Sequence, residues 1–263
     1  MTQAAAPFLA IDIGNTHTVF GVMDGDEVRR TWRIATRTDQ TSDELAITLR
    51  FLDGLRDAGW DGWCGAALCS VVPAFTASVA KATASALGIE PVVLTTEMKL
   101  GLENRYTVPS QVGMDRLADA AAASERYGPG LAIVDFGTAT TINIVDREGD
   151  YLGGAILAGV ETTADALYRR ASKLPQIAIQ RPEQPIGRNS VESMQSGLYY
   201  GAIDAVEGVI RRAEAQLGYE LKIVATGGLS RLMAPDMARL HAVEPNLTLR
   251  GIRRIWARNA PAG

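Results

Sequence analysis

The sequence predicts an α/β protein in which one pattern of strands and helices occurs twice. Two observations support this prediction. An apolar run that ends in Asp and leads into a Gly-containing turn occurs at residues 8–13 and again at 131–135. Each run opens a meander of short strands, and helical periodicity follows at 42–58 and at 191–217. The offset of about 120 residues far exceeds the periods of solenoid repeats, so we interpret it as a duplicated domain.

The first half alternates strands and helices after its meander. The predicted elements are strands at 8–13, 18–23 and 27–34, a helix at 42–58, a strand at 65–72, a helix at 76–87 and a strand at 91–94. Asp24-Gly25-Asp26 is typical of a tight turn between strands. Ser42 is the expected N-cap of the first helix, because its hydroxyl can accept from a free N–H in the first turn.

The second half repeats this order. The predicted elements are strands at 131–135, 141–146 and 151–156, a long helix at 191–217 and a strand at 221–225. Neither a low-complexity linker nor a block of charge separates the halves. We therefore expect them to meet within 120–130, which gives domains at 1–120 and 121–263.

Composition argues against several classes of protein. Hydrophobic residues make up 47% and charged residues 21% of the chain, which is ordinary for a soluble globular protein. The net charge of −4 argues against a general nucleic-acid binder, which needs a positive field. Cys64 and Cys69 match no zinc spacing, so we expect free thiols in a reducing compartment. With neither a signal peptide nor an apolar run of bilayer length, we expect a cytoplasmic protein without a membrane partner.

The two turns after the Asp-terminated strands indicate phosphate chemistry. They are Asp12-Ile13-Gly14-Asn15-Thr16 and Asp135-Phe136-Gly137-Thr138-Ala139-Thr140. Glycine lets the backbone approach an anion, and the following N–H and hydroxyl groups can donate to phosphate oxygens. An Asp repels phosphate, so its natural partner is a bridging cation. Each loop alone could be a hairpin turn whose Asp caps local N–H groups, but two copies favour an ATP-dependent kinase with its nucleotide between the loops.

Residues 226–230 add a weaker signal. Thr226-Gly227-Gly228 follows a predicted buried strand, and paired glycines allow a flat base or ribose to approach closely. Glycine pairs also form plain turns, so this motif supports nucleotide binding only together with the two loops.

The duplicated organisation resembles the actin-like ATPase and sugar-kinase superfamily, whose ribonuclease H-like domains each contain a mixed five-stranded sheet flanked by helices. A closer resemblance comes from YTVPSQVGMDR at 106–116 and IGRNSVESMQSG at 186–197. Together they resemble type III pantothenate kinases, over residues 9 to about 232 with a looser match at 247–251. The resemblance implies transfer of the γ-phosphate of ATP to the hydroxyl of pantothenate. The product is 4′-phosphopantothenate, in the first step of coenzyme A biosynthesis. It also implies a homodimer that needs Mg²⁺ and a monovalent cation, K⁺ or NH₄⁺.

Asp115 is the candidate general base. If Ser110 caps a helix, Asp115 lies near the helix start, where the dipole keeps a carboxylate ionised and able to accept a proton. By spacing alone Asp115 could equally be an ordinary first-turn acid. The resemblance places it on the catalytic Asp of the family.

The resemblance assigns the remaining site residues. The predicted pantothenate contacts are Tyr106, Gly113, Met114, Asp115, Arg116 and Ser190. The predicted ATP contacts are Asp12, Ile13, Gly14, Asn15, Thr16, His17, Thr18, Val19 and Thr138, and Asp135 is the predicted monovalent-cation ligand. Within the first loop we expect His17 to serve loop structure rather than chemistry. Three departures from the family pattern are a bulky Met114, Leu157-Ala158-Gly159 in place of a Pro-Gly turn, and Ser190 in place of Thr.

The long helix predicts a dimer interface. It contains Gly197, Gly201 and Gly208, each of which costs about 1 kcal/mol relative to Ala in a helix. Close packing is the expected compensation. With Tyr199 and Tyr200 alongside, we expect the helix to pack against a second copy.

Two alternatives stay open. One is a non-catalytic regulatory relative that acts as a transcriptional accessory protein, which would have no need to keep Asp12, Asp115, Asp135 and Thr138 together. The other is a kinase of the same fold that acts on a sugar or another small alcohol, against which the motifs at 113–116 and 186–197 argue.

Overall fold

The computed structural model describes residues 6–52 and 62–260. In chain order the elements are β1 (Phe8–Ile13), β2 (His17–Asp24), β3 (Glu27–Ala35), α1 (Ser42–Phe51), β4 (Gly65–Ser70), α2 (Pro73–Leu87), β5 (Val92–Val93), α3 (Met114–Tyr127), β6 (Leu131–Phe136), β7 (Ala139–Val145), β8 (Tyr151–Ala158), α4 (Val160–Arg170), α5 (Ser190–Leu217), β9 (Lys222–Thr226), α6 (Ser230–Met233), β10 (Leu240–Val243) and α7 (Leu247–Asn259). Short 3₁₀ turns lie at Pro109–Gln111 and Ala234–Asp236.

Both sheets have the same strand order. The first runs β3-β2-β1-β4-β5 and the second β8-β7-β6-β9-β10. In each sheet the three strands of the meander are antiparallel to their neighbours. The next strand along the chain, β4 or β9, pairs in parallel with the strand that opens the meander, β1 or β6. The fifth strand pairs in parallel with the fourth. The predicted fold class, a duplicated mixed five-stranded sheet flanked by helices, is confirmed.

The chain divides into two compact units. The first holds the described residues up to 103, then 107–122 and those from 247 onward; the second holds 104–106 and 123–246. The C-terminal helix α7 thus belongs to the first unit, whereas the sequence led us to place residues 121–263 together in the second. Burial explains its position. Leu247, Leu249, Ile252 and Ile255 are buried, and the Trp256 ring packs against Phe8 with ring centroids 4.8 Å apart.

Local chemistry sets the helix ends, with two differences from expectation. The N-cap of α1 is Thr41, not Ser42. The Glu44 N–H donates to the Thr41 hydroxyl at 3.3 Å, and the Thr41 N–H donates to the Glu44 carboxylate at 2.8 Å. This reciprocal pair satisfies two backbone donors, which Ser42 cannot do from inside the helix. Helix α2 begins earlier than expected, at Pro73, because proline is favoured in the first helical turn. The predicted C-terminal part of the first helix, 53–58, lies outside the described residues.

The glycines of α5 differ in their surroundings. Gly197 and Gly201 are exposed, and a Cβ at either would meet nothing within 4 Å. Gly208 is buried beside the Arg212 side chain. Among the described residues, Gly197 and Gly201 therefore lack the close packing that was expected around all three glycines.

Tyr199 does not lie on the surface of α5, contrary to its predicted place at an interface. Its side chain is fully buried, and its hydroxyl donates to the Leu232 carbonyl oxygen at 3.0 Å and to the Asp236 carboxylate at 2.7 Å. Tyr200 is half-buried and packs edge-on against it. Tyr199 thus belongs to the core of the second unit. In the part of the chain that the structure describes, none of the helices combines the length and apolar character needed to cross a membrane.

Candidate active site

Asp12 lies near the end of β1, between two neighbouring strands. It pairs with Val19 of β2 and with Cys69 of β4. The Cys69 thiol donates to the Asp12 carboxylate at 3.3 Å. Burial raises the pKa of Asp12 to about 7, and the negative charge of Asp115 adds to the rise. A bound cation would therefore offset both the desolvation of the Asp12 carboxylate and its repulsion by Asp115.

The loop after Asp12 is held open by its own backbone and by Thr36. The Gly14 N–H donates to the His17 carbonyl oxygen at 3.0 Å, and the Thr36 hydroxyl donates to the Gly14 carbonyl oxygen at 2.7 Å. Asn15, Thr16 and His17 are exposed. The predicted phosphate loop thus presents its middle residues to solvent.

The other predicted ATP contacts of the first loop are less accessible to solvent. Ile13 and Thr18 are buried, and Val19 is half-buried in β2. The Thr18 hydroxyl lies 2.9 Å from the Thr36 hydroxyl. Thr18 therefore contributes to the support of the loop, and sequence reasoning missed Thr36 because its contact spans 22 residues along the chain.

Asp115 is the second residue of α3, and the start of this helix differs from expectation. Ser110 lies in the 3₁₀ turn that precedes α3, so it does not cap the helix. The first carbonyl of the helix is that of Gly113, which accepts from the Arg116 N–H at 3.1 Å and the Leu117 N–H at 3.3 Å. The Arg116 N–H also donates to the Asp115 carboxylate, at 2.8 Å. Gly113 lies so close that a Cβ there would overlap the Asp115 carboxylate.

The pKa of Asp115 is shifted in the direction opposite to the one expected. We expected the helix start to keep this carboxylate strongly ionised. Burial raises its pKa, although the Arg116 N–H and guanidinium both act to lower it. Desolvation is the largest of these effects, so the pKa rises despite the favourable contacts. A carboxylate with a raised pKa is a stronger base, and this suits the role predicted for Asp115.

Met114 and Arg116 are less accessible than their predicted roles suggested. Met114 is 6% and Arg116 7% exposed, while Gly113 and Asp115 are half-buried. The bulk of Met114 is thus accommodated inside the first unit.

Asp135 is the counterpart of Asp12 in the second unit, and two glycines flank its carboxylate. It pairs with Thr141 of β7 and Thr226 of β9. A Cβ at Gly137 would lie 3.4 Å from its carboxylate, and a Cβ at Gly227 would overlap it. Gly227 also has a φ of 89°, which favours glycine. The Thr-Gly-Gly motif is thus explained first by its contact with Asp135. Thr138, at the tip of the loop, is exposed.

Tyr106 packs on β8. Residues 104–106 run beside this strand, where the Arg105 N–H donates to the Tyr151 carbonyl oxygen at 2.9 Å. The half-buried Tyr106 ring lies over Gly153, whose added Cβ would come within 2.9 Å of it. Gly153 has a φ of 113°. Sequence reasoning gave Gly153 no role, because only the fold brings residue 106 to it.

Ser190 opens α5 at the rim of a cavity. Asn189 caps this helix, because its side chain accepts from the Glu192 N–H at 3.0 Å. A cavity of about 700 Å³ is lined by the polar residues Arg188, Asn189, Ser190 and Ser193 and by apolar residues that include Leu174 and Leu198. A helix start with hydroxyl groups and an arginine suits a small carboxylate ligand.

The part of the chain that the structure describes does not contain a preformed protein cage for a metal ion. Among the described residues, three or more His, Cys, Asp and Glu side chains do not gather at any point. Single carboxylates such as Asp12 and Asp135 can still hold a cation together with phosphate oxygens and water, as is usual for Mg²⁺ beside nucleotides.

Comparison with known structures supports the fold. A protein described as a Baf family transcriptional activator from Campylobacter jejuni is similar with a TM-score of 0.60 and 18% identity, over 95% of this chain and 98% of that one. Component A of (R)-2-hydroxyglutaryl-CoA dehydratase from Acidaminococcus fermentans gives a TM-score of 0.52 and 13% identity, over 97% and 96% of the two chains. At these identities the likeness extends to the fold alone, so it does not favour the transcriptional alternative.

Comparison of sequences is more specific. The family model for type III pantothenate kinase matches residues 8–212, which include both loops, Asp115 and the start of α5. Type III pantothenate kinases from Geobacter sulfurreducens and Myxococcus xanthus are 41% and 42% identical, each over 95% of this chain and 98% of the relative. Because this match spans both units and the segments that carry Asp12, Asp115, Asp135 and Ser190, the chain belongs to the type III pantothenate kinase family.

Proposed function

We propose that this chain transfers the γ-phosphoryl group of ATP to the terminal hydroxyl of pantothenate and yields 4′-phosphopantothenate, which begins coenzyme A biosynthesis. As a member of its family it is an ATP-dependent pantothenate kinase that uses a divalent metal. The assignment of residues rests mainly on the environment of Asp115. This residue is a half-buried carboxylate with a raised pKa at the start of α3, near the Asp12 carboxylate of the same unit.

Asp115 is the proposed general base. Its carboxylate accepts the proton of the pantothenate hydroxyl as the oxygen attacks the γ-phosphorus, while the bond from that phosphorus to the bridging oxygen of ADP breaks. Phosphoryl transfer has a loose transition state and depends mainly on positioning and charge neutralisation. The hydrogen bond from the Arg116 N–H to the Asp115 carboxylate helps to hold that carboxylate in place.

The first loop is the proposed phosphate cradle, with Asn15 and Thr16 as its exposed donors. Residues 12–19 together form the proposed ATP segment, in which Ile13, Thr18 and Val19 support the loop and His17 contributes backbone. Asp12 is suited to hold Mg²⁺, because burial and the nearby Asp115 charge both favour a cation at this carboxylate. Bound Mg²⁺ supplies charge neutralisation on the phosphates.

The second loop is proposed to hold the monovalent cation at Asp135 and to contact ATP through Thr138. The Asp135 carboxylate lies against Gly137 and Gly227, and the Asp135 backbone pairs with Thr226 on the neighbouring strand β9. Backbone carbonyls and a single carboxylate are ligands that K⁺ and NH₄⁺ accept, whereas small divalent ions demand stricter geometry. The exposed Thr138 hydroxyl is suited to donate to a phosphate.

The proposed pantothenate contacts are Tyr106, Gly113, Met114, Asp115, Arg116 and Ser190. Gly113, Met114 and Arg116 lie next to Asp115 at the start of α3, whereas Tyr106 packs on β8 and Ser190 opens α5. The cavity at Ser190, which Arg188 also lines, offers a positive charge and polar donors suited to the pantothenate carboxylate. Met114 is buried, which limits the contact that its side chain can make with pantothenate.

A homodimer through α5 is also proposed, in a cytoplasmic enzyme. Gly197 and Gly201 leave an open, exposed strip on this helix, and the nearby Ile186 is 80% and Val191 39% exposed. Glycines on an exposed helix face permit another backbone to approach closely. Gel filtration at micromolar concentration should give twice the chain mass of 28.1 kDa. A single species at the chain mass would contradict the dimer.

One kinetic experiment tests the activity and the base together. Wild type and Asp115→Asn are assayed for ATP-dependent phosphorylation of pantothenate with Mg²⁺ and K⁺. We expect the variant to lose about 10²–10⁴-fold in kcat, the usual contribution of a general base. Asp43→Asn is the matched control, because Asp43 is an exposed first-turn acid of α1. Near-normal turnover in Asp115→Asn would exclude Asp115 as the base, and a wild type without turnover would exclude the activity.

A further inference from the structure

We propose that Thr162 is a positioning residue for ATP: its hydroxyl holds the carbonyl of Thr138 and so fixes the second loop in its binding conformation. The inference rests on the proposed contact between Thr138 and ATP. It assigns a specific task to a residue on α4 that lies outside both loops and outside the motifs of the sequence.

The hydrogen bond itself is the first observation. Thr162 is the third residue of α4, and its hydroxyl donates to the Thr138 carbonyl oxygen at 2.7 Å. A helical threonine commonly donates to the carbonyl four residues earlier in its own helix. The adjacent Thr163 does this, with its hydroxyl 2.9 Å from the Gly159 carbonyl oxygen. Thr162 instead directs its hydroxyl out of the helix to a residue 24 positions away.

A second donor reaches the same carbonyl. The Gly159 N–H donates to the Thr138 carbonyl oxygen at 3.1 Å. A carbonyl oxygen has two lone pairs, so Gly159 and Thr162 together fill both. The Thr138 carbonyl is thereby fixed on the side of α4, and its side chain stays exposed at the tip of the loop.

Close packing adds a steric constraint. A Cβ at Gly159 would overlap the carbonyl oxygens of both Gly137 and Thr138, and it would lie 2.7 Å from the Thr138 carbonyl carbon. The loop and the start of α4 are therefore in direct backbone contact. Leu157-Ala158-Gly159, which departs from the Pro-Gly turn of the family, retains the glycine that this contact requires.

Helix capping does not explain the Thr162 hydroxyl. The N-cap of α4 is Gly159, which has no side chain, and Thr162 bonds to the loop rather than to a free N–H of its helix. A purely structural role predicts that its loss lowers stability and affects both substrates alike. A positioning role predicts a selective effect on ATP.

The test compares variants that keep or remove the donor. Thr162→Val keeps the shape and removes the hydroxyl, Thr162→Ser restores a hydroxyl, and Thr162→Ala is a second deletion should the valine variant fold poorly. Thr48→Val is the matched control, because Thr48 is a half-buried helical threonine whose hydroxyl donates to the Glu44 carbonyl oxygen at 3.1 Å in its own helix. The readouts are kcat, both KM values and the melting temperature.

We expect Thr162→Val to raise the KM for ATP by about fivefold, the effect of one lost hydrogen bond, and to leave the KM for pantothenate unchanged. Thr162→Ser should return the KM for ATP towards wild type, and Thr48→Val should match wild type throughout. An unchanged KM for ATP in both deletion variants would overturn the inference. So would an equal rise in both KM values, which indicates a general structural effect.

Thr138→Val separates this inference from the assignment on which it rests. If Thr138→Val raises the KM for ATP and the Thr162 variants do not, the ATP contact stands and the positioning role falls. If Thr138→Val has no effect on the KM for ATP, the proposed contact fails and the positioning role falls with it. Turnover of pantothenate by the wild type tests the proposed activity independently of both.

Discussion

The two Asp-bearing loops occupy equivalent places in the two sheets, yet their surroundings differ. Asp12 is the fifth residue of β1, the central strand of the first sheet, and pairs with Cys69 of the parallel strand β4. Asp135 occupies the same place in the second sheet and pairs in parallel with Thr226. Since topology and register are shared, any difference between the two carboxylates comes from side chains.

Those side chains give the carboxylates different environments. Burial and repulsion by Asp115 raise the pKa of Asp12 to about 7, although the hydrogen bond from the buried Cys69 thiol acts to lower it. Asp135 lies instead against Gly137 and Gly227, where a ligand or backbone group can approach closely. The comparison shows that a duplicated fold gives two equivalent carboxylates different surroundings, which is consistent with the separate roles proposed for Asp12 and Asp135.

The largest effect should follow from filling the space beside Asp135. Gly227→Ala adds a Cβ that overlaps the Asp135 carboxylate and lies 2.7 Å from the Phe136 backbone, at a φ of 89°. We expect the free energy of unfolding to fall by about 3 kcal/mol. The measurement is equilibrium denaturation in urea.

Gly149→Ala is the control for backbone strain. Gly149 has a φ of 92°, but its Cβ would meet nothing within 4 Å. We expect it to cost about 1 kcal/mol, from the left-handed conformation alone. Equal losses in the two variants would show that the contact between Gly227 and Asp135 is unimportant.

The second prediction separates the tasks of the two carboxylates. Asp12→Asn should lower kcat by about 100-fold at every K⁺ concentration, because it removes charge stabilisation beside the phosphates. Asp135→Asn should lower activity mainly by abolishing the response to K⁺. Titrations of K⁺ and Mg²⁺ against each variant measure this split. Identical K⁺ dependence in the two variants would remove the distinction.

The third prediction concerns pH and follows from the raised pKa of Asp12. Asp12 of the folded protein keeps its proton up to about pH 7, whereas in the unfolded chain it loses the proton near its ordinary pKa of 3.8. The folded state therefore binds more protons between these values, and its stability falls as pH rises through this window. Relative to Asp12→Asn, the wild type without Mg²⁺ should lose stability from about pH 4 to pH 7.

Cys69→Ala sharpens the pH test. The thiol hydrogen bond acts to lower the pKa of Asp12, so its removal should move the window to higher pH. Unfolding in urea across the pH range measures both effects. Parallel stability curves for wild type and Asp12→Asn would show that the Asp12 carboxylate is not desolvated.

The smallest effect should come from the third strands of the two meanders. In the first unit β3 lacks glycine, whereas β8 carries Gly153 beneath the Tyr106 ring. Gly153→Ala should displace this ring and raise the KM for pantothenate about threefold, since overpacking beside a flexible side chain costs little. Gly149→Ala again controls for positive φ. A rise in the KM for ATP of the same size would argue against a specific effect on Tyr106.

Some site residues could be predicted from sequence because their chemistry is local. Each Asp ends an apolar run and precedes a glycine, and this pattern predicted both loops and the duplication before any contact was known. The environment of Asp115 could not be predicted in the same way. The helix start and burial act on its pKa in opposite directions, and the sequence does not state how deeply a residue is buried.

The sequence by itself determined the strand pattern, the duplicated domain and the family, because these depend on periodicity and on motifs of neighbouring residues. Tertiary structure alone decided that α7 joins the first unit, that Tyr199 is core, and that Cys69 contacts Asp12. It also decided that Thr162 reaches Thr138. Each of these depends on which distant segments share a buried surface. That choice is made by packing and desolvation summed over the whole unit, which residue order does not display.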